Sequence, residues 1–238
     1  MKKTGLPGHY FVPSLLLLIS LVMLCCMVVA CTSERSFSTD FRGAARRSAQ
    51  IIFVAADSGR ADVSMYEKAK DGRWTLLLKA VGHSGKNGIG KTREGDSKSP
   101  SGIYRLPMAF GVRDNPGTAM PYVKVDSHCY WVSDSHSRYY NRFVRDDKVV
   151  RDWNDAEHLI AAPHSYAYVL AVGYNERCRK GLGSAIFFHC AMDETTEGCI
   201  TIPEADMVRV MRLIRPGCVI DIDSPARIEA QMNSLPRR

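Results

Sequence analysis

At 238 residues, with 45% hydrophobic and 24% charged residues, the chain has a globular composition and can bury a good core, in one domain or two. The formal net charge is +7, of which Lys2 and Lys3 contribute two; that excess suits a polyanionic neighbourhood such as cell wall or anionic lipid. It is diffuse, with no basic block and no interleaving of aromatic and basic residues, and this argues against a nucleic-acid partner.

The N-terminus sets the expected compartment. Lys2 and Lys3 precede an apolar run from Leu15 to Ala30, which closes on Val28-Val29-Ala30-Cys31. A basic start, an apolar centre and small residues before a cleavage point make an export signal. The ending resembles a bacterial lipobox, in which Cys31 would become the lipidated first residue. An uncleaved anchor over Phe11 to Cys31 is the alternative. Either form places the remainder outside the cytoplasm and tethered to a membrane. Residues 1–31 are therefore read as leader, and the Ser/Thr/Arg-rich residues 32–50 as a flexible tether. Beyond Cys31 there are five cysteines, Cys129, Cys178, Cys190, Cys199 and Cys218. An odd number leaves at least one thiol unpaired. If that thiol is Cys199, the other four allow up to two disulfides, in three connectivities, or none.

The domain itself is expected over residues 51–223. Ile51 to Val54 opens it as a strand; Val63 to Lys68 and Trp74 to Gly82 follow as a hairpin around Lys70-Asp71-Gly72. Gly85 to Thr92 matches the phosphate-loop pattern G-x-x-x-x-G-K-[ST]. That motif needs a helix starting at the Lys-Thr pair, and Gly95, Pro100 and Gly102 would break one, so no nucleotide is expected here. Pro121 to Asp126 and Tyr130 to Val132 read as short strands, with Asp114-Asn115-Pro116-Gly117 as a turn. Ser137 to Asn141 is an aromatic and polar loop that could line a groove or pack on the sheet. Asn154 to Ala161 reads as a short helix, capped by Asn154 with Glu157 three residues on. Tyr166 to Tyr174 suits a buried central strand. Glu204 to Arg215 is the clearest helix, with Met207, Val210 or Met211, and Ile214 on one face. Thr201 and Glu204 fit a capping box there, and Pro216-Gly217 ends the helix. Cys218 to Ile222 returns as a last strand, and residues 224–238 form a polar tail.

The chemistry concentrates between Gly183 and Asp206. An apolar run ends in His189, and the next begins at Gly198-Cys199. Strand alternation puts Ala185, Phe187 and His189 on one face and Ile186, Phe188 and Cys190 on the other, so Cys190 points away from whatever His189 serves. Cys199 and Thr201 share a face of the second strand. If the two strands are neighbours, His189 can act as base for a Cys199 nucleophile, and Gly198 leaves room for close substrate approach and for amides that bind an oxyanion. The same two residues could instead be a core histidine and a buried thiol. Zinc held by His189, Cys190 and Cys199 lacks the paired-cysteine spacing of structural sites.

Gly183-Ser184-Ala185-Ile186-Phe187-Phe188-His189, Thr196-Glu197-Gly198-Cys199-Ile200, the helix after them and Pro216-Gly217-Cys218-Val219-Ile220 together resemble the C-terminal catalytic core of the L,D-transpeptidases. Upstream, Gly90 to Asp96 with Ser99-Pro100-Ser101-Gly102-Ile103-Tyr104 resembles that family's G-D-x-x-T-P-x-G-x-Y segment, with serine for threonine. Two departures stand out: Glu197 replaces the second histidine that many members carry before Gly-Cys, and the separation of His189 from Cys199 is shorter than usual. The resemblance implies a YkuD-like fold, mostly β with a few helices (α+β), arranged as a sandwich or barrel-like mixed sheet. It implies peptidoglycan stem peptides as substrate, Cys199 as nucleophile, His189 as base, the amides near Gly198 as oxyanion hole, and no metal or organic cofactor. Tyr140, Asn141, Ser184, Thr196 and Glu197 are the candidate substrate-binding positions. Transfer to an amine would make a cross-link; transfer to water would make an L,D-carboxypeptidase. A wall-binding lipoprotein that keeps the fold without catalysis is the rival from another class.

Overall fold

The computed structural model describes residues 41–192 and 195–236. The expected leader, Cys31 and the first part of the expected tether lie outside the described residues. Among the described residues, no helix is long and apolar enough to cross a membrane.

Among the described residues the protein is mostly β, with three α-helices. Thirteen short strands form a ten-stranded curled mixed sheet, with the shape of a half-barrel, and a separate three-stranded sheet. In chain order the strands are β1 (Gln50–Asp57), β2 (Arg60–Lys68), β3 (Trp74–His83), β4 (Gly102–Arg105), β5 (Ala109–Gly111), β6 (Tyr122–Lys124), β7 (Cys129–Val132), β8 (Phe143–Arg145), β9 (Ala156–His158), β10 (Val169–Ala171), β11 (Phe187–Cys190), β12 (Ile200–Ile202) and β13 (Val219–Asp223). The large sheet runs β4-β13-β1-β2-β3-β12-β11-β10-β5-β6, and the small one β8-β7-β9. The helices are α1 (Phe41–Arg47), α2 (Glu204–Leu213) and α3 (Pro225–Asn233).

Alternation along the strands divides the buried side chains between the two faces of the large sheet. Ile52 and Val54 of β1, Val63 and Met65 of β2, Leu78 and Ala80 of β3, Phe188 and Cys190 of β11, Ile200 and Ile202 of β12, and Ile220 and Ile222 of β13 enter the main core. Met207, Val210 and Met211 of α2 close it, joined by Ile214 just past the helix. The opposite face is covered at its two ends by different elements. Over β1, β4 and β13, Ala44 of α1 and Ile228 of α3 pack with Ile51, Phe53, Ile103 and Val219. Over β5, β10 and β11, the small sheet contributes Trp131 to a cluster with Phe110, Tyr166, Val169 and Phe187. Between these two coverings lie β3 and β12, whose second face carries Val81, His83 and Thr201. Val81 is half exposed there.

The hairpin of β2 and β3, the first strand and the last are where the sequence puts them, and the Tyr166 to Tyr174 run is buried from Tyr166 to Val172 around β10. Four expectations are corrected. The helix expected at Asn154 to Ala161 is strand β9 followed by a 3-10 turn at Leu159–Ala161; pairing of Glu157 with Trp131 and of His158 with Tyr130 across the small sheet outweighs the local capping pattern. The Thr201 and Glu204 capping box does not form: Thr201 belongs to β12, and Pro203 takes the cap position without a side-chain bond. The expected tail holds α3, because Ile228, Met232 and Leu235 recur at helical spacing and pack on β1 and β13. The described end of the expected tether likewise holds α1, and Gln50 is already in β1. All five cysteines beyond Cys31 are free thiols, so none of the three disulfide connectivities is formed in this structure.

Candidate functional site

β11 and β12 are adjacent and parallel, with Phe188 opposite Ile200, His189 opposite Thr201 and Cys190 opposite Ile202. Cys199 therefore falls beside Phe187, on the same face as His189 and one diagonal step from it. Side chains so related have Cβ atoms roughly 7 Å apart. The sulfur is not hydrogen-bonded to the imidazole. It accepts the Phe187 N–H at 3.3 Å, and its S–H donates to the Ala185 carbonyl at 3.3 Å. Ala185 precedes β11, so the thiol is turned away from His189 along the strand.

Electrostatics keep that thiol protonated. Burial of the sulfur pushes the Cys199 pKa up to about 12; the Phe187 amide works against the rise, the Glu157 charge adds to it, and Lys91 opposes it weakly. Cys199 is partly exposed as a residue while its sulfur lies against the aromatic cluster, and the sulfur's surroundings govern its ionisation. His189 is 9% exposed, and burial drops its pKa to about 4. Its Nδ1 faces two carbonyl oxygens, Cys190 O at 3.0 Å and Ser165 O at 3.2 Å. Carbonyls only accept, so Nδ1 carries the hydrogen and Nε2 carries the lone pair. The Tyr166 ring stands edge-on to the imidazole, with centroids 5.4 Å apart. Cys190 leaves this face as alternation requires: its S–H points to the Tyr168 carbonyl at 3.7 Å, in the main core, and with it goes the zinc arrangement.

The turn before Cys199 is built for a glycine. Gly198 has φ +141°, and a Cβ there would stand 2.8 Å from the Lys98 carbonyl oxygen. Its N–H donates to Thr196 Oγ1 at 3.1 Å, and that hydroxyl donates to the Cys199 carbonyl at 2.6 Å. Thr196 thus shapes the nucleophile turn from within, and both of its bonds stay inside the loop. Beneath the turn lies Lys91, the lysine of the phosphate-loop look-alike. Its ammonium is bonded to Asp96 at 2.9 Å, with side chains 3% and 6% exposed. No helix follows it; residues 91–101 are loop and turn. Burial alone would raise the Asp96 pKa, but the amides of Thr92, Arg93 and Lys98 and the Lys91 ammonium hold it well below the usual carboxylate range.

The remaining expected substrate-binding residues divide. Tyr140 is fully buried and Asn141 nearly so. Tyr140 Oη donates to Glu94 Oε2 at 2.5 Å and accepts the Gly183 N–H at 3.0 Å. Asn141 Oδ1 accepts from Trp131 Nε1 and Ala185 N–H, while its Nδ2 donates to the Tyr174 and Asn175 carbonyls. Ser184 is buried and donates its hydroxyl to Glu94 Oε2 at 3.0 Å. With their polar atoms engaged inside the protein, these three brace the segment leading into β11. Glu197 is exposed beside Gly198, bonded to Lys86 Nζ at 2.5 Å and to the Ser97 hydroxyl.

Sequence reasoning overlooked three features of the site. Tyr166 donates to Glu157 Oε2 at 3.2 Å while its ring contacts His189 and Phe187. Thr201, opposite His189, has a buried Oγ1 without a hydrogen-bond partner. A groove of ≈ 330 Å³, lined by residues including Arg60, Val81, His83 and Thr195, opens at the end of β3. Register pairs Arg60 with His83 and His83 with Thr201, which carries the row across the same sheet face to His189. Only the identity of Thr201, on the face of Cys199, was available in the sequence as a signal. A scan of protein-family models finds no match to the chain, and a search of curated proteins finds none either.

Proposed function

We propose that the protein is a cysteine acyltransferase of the L,D-transpeptidase type, with a YkuD-like fold, anchored outside the cytoplasm and acting on peptidoglycan stem peptides. The observation that carries the reading is the placement of Cys199 and His189 on one face of adjacent strands, with the imidazole proton committed to carbonyls through Nδ1 and a turn only glycine can make before the thiol. At neutral pH His189 is uncharged and its Nε2 can accept a proton. Rotation of the Cys199 side chain away from Ala185 O brings the thiol toward that lone pair. The sulfur then bonds to the acyl carbon preceding a terminal D-alanine, and its proton passes to Nε2. Collapse of the adduct breaks the peptide bond, and the leaving amine takes the proton from His189. An amine of a second stem attacks the thioester, loses a proton to the neutral imidazole and expels the thiol, giving a cross-link. Water in its place gives a carboxypeptidase.

A specific observation favours the non-catalytic wall-binding reading as second choice: the resting thiol is hydrogen-bonded away from the histidine and has a raised pKa. One experiment separates the readings. Full-length protein and Cys199→Ala are incubated with purified tetrapeptide muropeptides and analysed by mass spectrometry. The expected result is D-alanine release and dimer formation by the wild type and neither by the variant. Retention of both activities in Cys199→Ala removes the acyltransferase reading; sacculus binding without turnover in either protein supports the wall-binding one.

A further inference from the structure

Glu157 is joined to the thiol face through a chain of direct contacts. It sits on β9 opposite Trp131, whose ring is 5.0 Å from that of Phe187. Its Oε2 accepts the Tyr166 hydroxyl; the Tyr166 ring stacks edge-on to His189 and to Phe187, and the Phe187 amide is bonded to Cys199 Sγ. Glu157 is exposed as a residue, while its carboxylate end lies part-buried against the Tyr166 hydroxyl, where burial raises its pKa and the Tyr166 bond works against the rise. Among the described residues no lysine or arginine is paired with it, although most other acidic side chains on this surface hold a cation, as Asp126 and Asp147 hold Arg145 and Asp152 holds Arg138. Asp155 nearby adds like charge. A carboxylate kept unpaired beside a nucleophile, and costing that nucleophile ionisation, has a use if the missing cation arrives with the ligand.

We propose that Glu157, positioned by Tyr166, is the docking point for a primary ammonium of the substrate beside Cys199. The inference rests on the acyltransferase reading for the identity of the ligand, since stem peptides bring such a group either as the diamino-acid side chain of the donor or as the amine of the acceptor. Docking there would also neutralise the charge that disfavours the Cys199 thiolate.

The test has a part that needs no peptidoglycan chemistry. Cys199 in the full chain is labelled at pH 9 with three methanethiosulfonates carrying a trimethylammonium, a neutral methyl or a sulfonate group; each forms a disulfide with the thiolate and releases methanesulfinate. Rates are read on the Cys199 peptide by mass spectrometry. The cationic reagent is expected to outpace the anionic one about fivefold relative to Glu157→Gln, the scale of one partly exposed ion pair. The preference should invert in Glu157→Lys and shrink as salt is added. Equal preference in wild type and both variants, with unchanged thermal unfolding, overturns the proposal whether or not the protein turns over muropeptides. In the muropeptide assay, loss of dimers with D-alanine release intact in Glu157→Gln assigns the acceptor. A raised donor KM that N-acetylation of the donor amine reproduces in the wild type assigns the donor. Unaltered kinetics for both substrates overturn it.

Discussion

Cys199 is held in a form that does not react at rest. Its sulfur is desolvated, accepts one amide and donates to one carbonyl, and its pKa of about 12 leaves only a trace of thiolate near neutrality. The expected consequence is a pH profile of alkylation by iodoacetamide that climbs about tenfold per pH unit with no plateau through pH 10, because the thiolate alone reacts. Peptide mass spectrometry on Cys199 measures it, and a plateau near pH 8 or 9 would show a thiol whose pKa burial does not raise. The His189 pKa of about 4 puts no charged imidazolium beside the sulfur over that range. Much of this was legible in the sequence: alternation through Phe187, Phe188, His189 and Cys190 sorts the residues by face without any tertiary information. Glu157 and Tyr166 were not, because their link to Cys199 runs between two sheets and leaves no spacing in the chain.

At the scale of elements, the loop under the nucleophile turn is organised by a buried ion pair. Lys91 passes below Gly183 and Gly198, where added Cβ atoms would come within 2.5 Å of its Cε and 3.6 Å of its Nζ respectively. Its partner Asp96 also accepts the amides of Thr92, Arg93 and Lys98. The two members are therefore unequal. Asp96→Asn strands a buried ammonium and weakens three amide contacts, and is expected to cost about 3–5 kcal/mol. Lys91→Met leaves a carboxylate that keeps three donors, and should cost less. Urea unfolding of both variants checks the order, and a larger loss in Lys91→Met would contradict it. The Gly85 to Thr92 pattern shows how a motif can be read correctly in its letters while its partners decide its use: the lysine that would face phosphate is spent on Asp96. Local signals failed in the same way at Asn154 to Ala161 and at Thr201. There, ladder pairing with β7 and β11 outweighed capping patterns of two residues each.

For the molecule as a whole, the last strand and the last helix make stability depend on pH. Asp221 of β13 is 1% exposed, its Oδ2 has no hydrogen-bond partner, and it lies against Gln231 of α3, whose Oε1 is likewise buried and unpartnered. Burial, with the Asp223 charge beside it, pushes the Asp221 pKa up to about 7. A protonated carboxyl can donate to an unpartnered acceptor such as Gln231 Oε1; an ionised one buries a charge that Arg227 and the Gln231 side chain offset only in part. The unfolded chain loses this proton near pH 4 (about 3.9 for a free carboxyl) and the folded chain only near 7, so between those values the folded state binds more protons. The stability that Asp221 contributes is complete below about pH 4 and is lost as pH rises through 7. Asp221→Asn, neutral at every pH, should therefore match the wild type near pH 4 and exceed it at pH 8 by on the order of 2–4 kcal/mol. His189 has the opposite dependence, since its depressed pKa costs stability as pH falls from about 6.5 toward 4, but it is common to both proteins and cancels in their difference. Urea midpoints at pH 4.5 and 8 measure that difference, and a value that does not change with pH would remove Asp221 as its source. Because α3 covers β1 and β13 at one end of that sheet face, while the groove opens at the end of β3, this titration should leave the Cys199 labelling profile of Asp221→Asn the same as that of the wild type at any pH where both are folded.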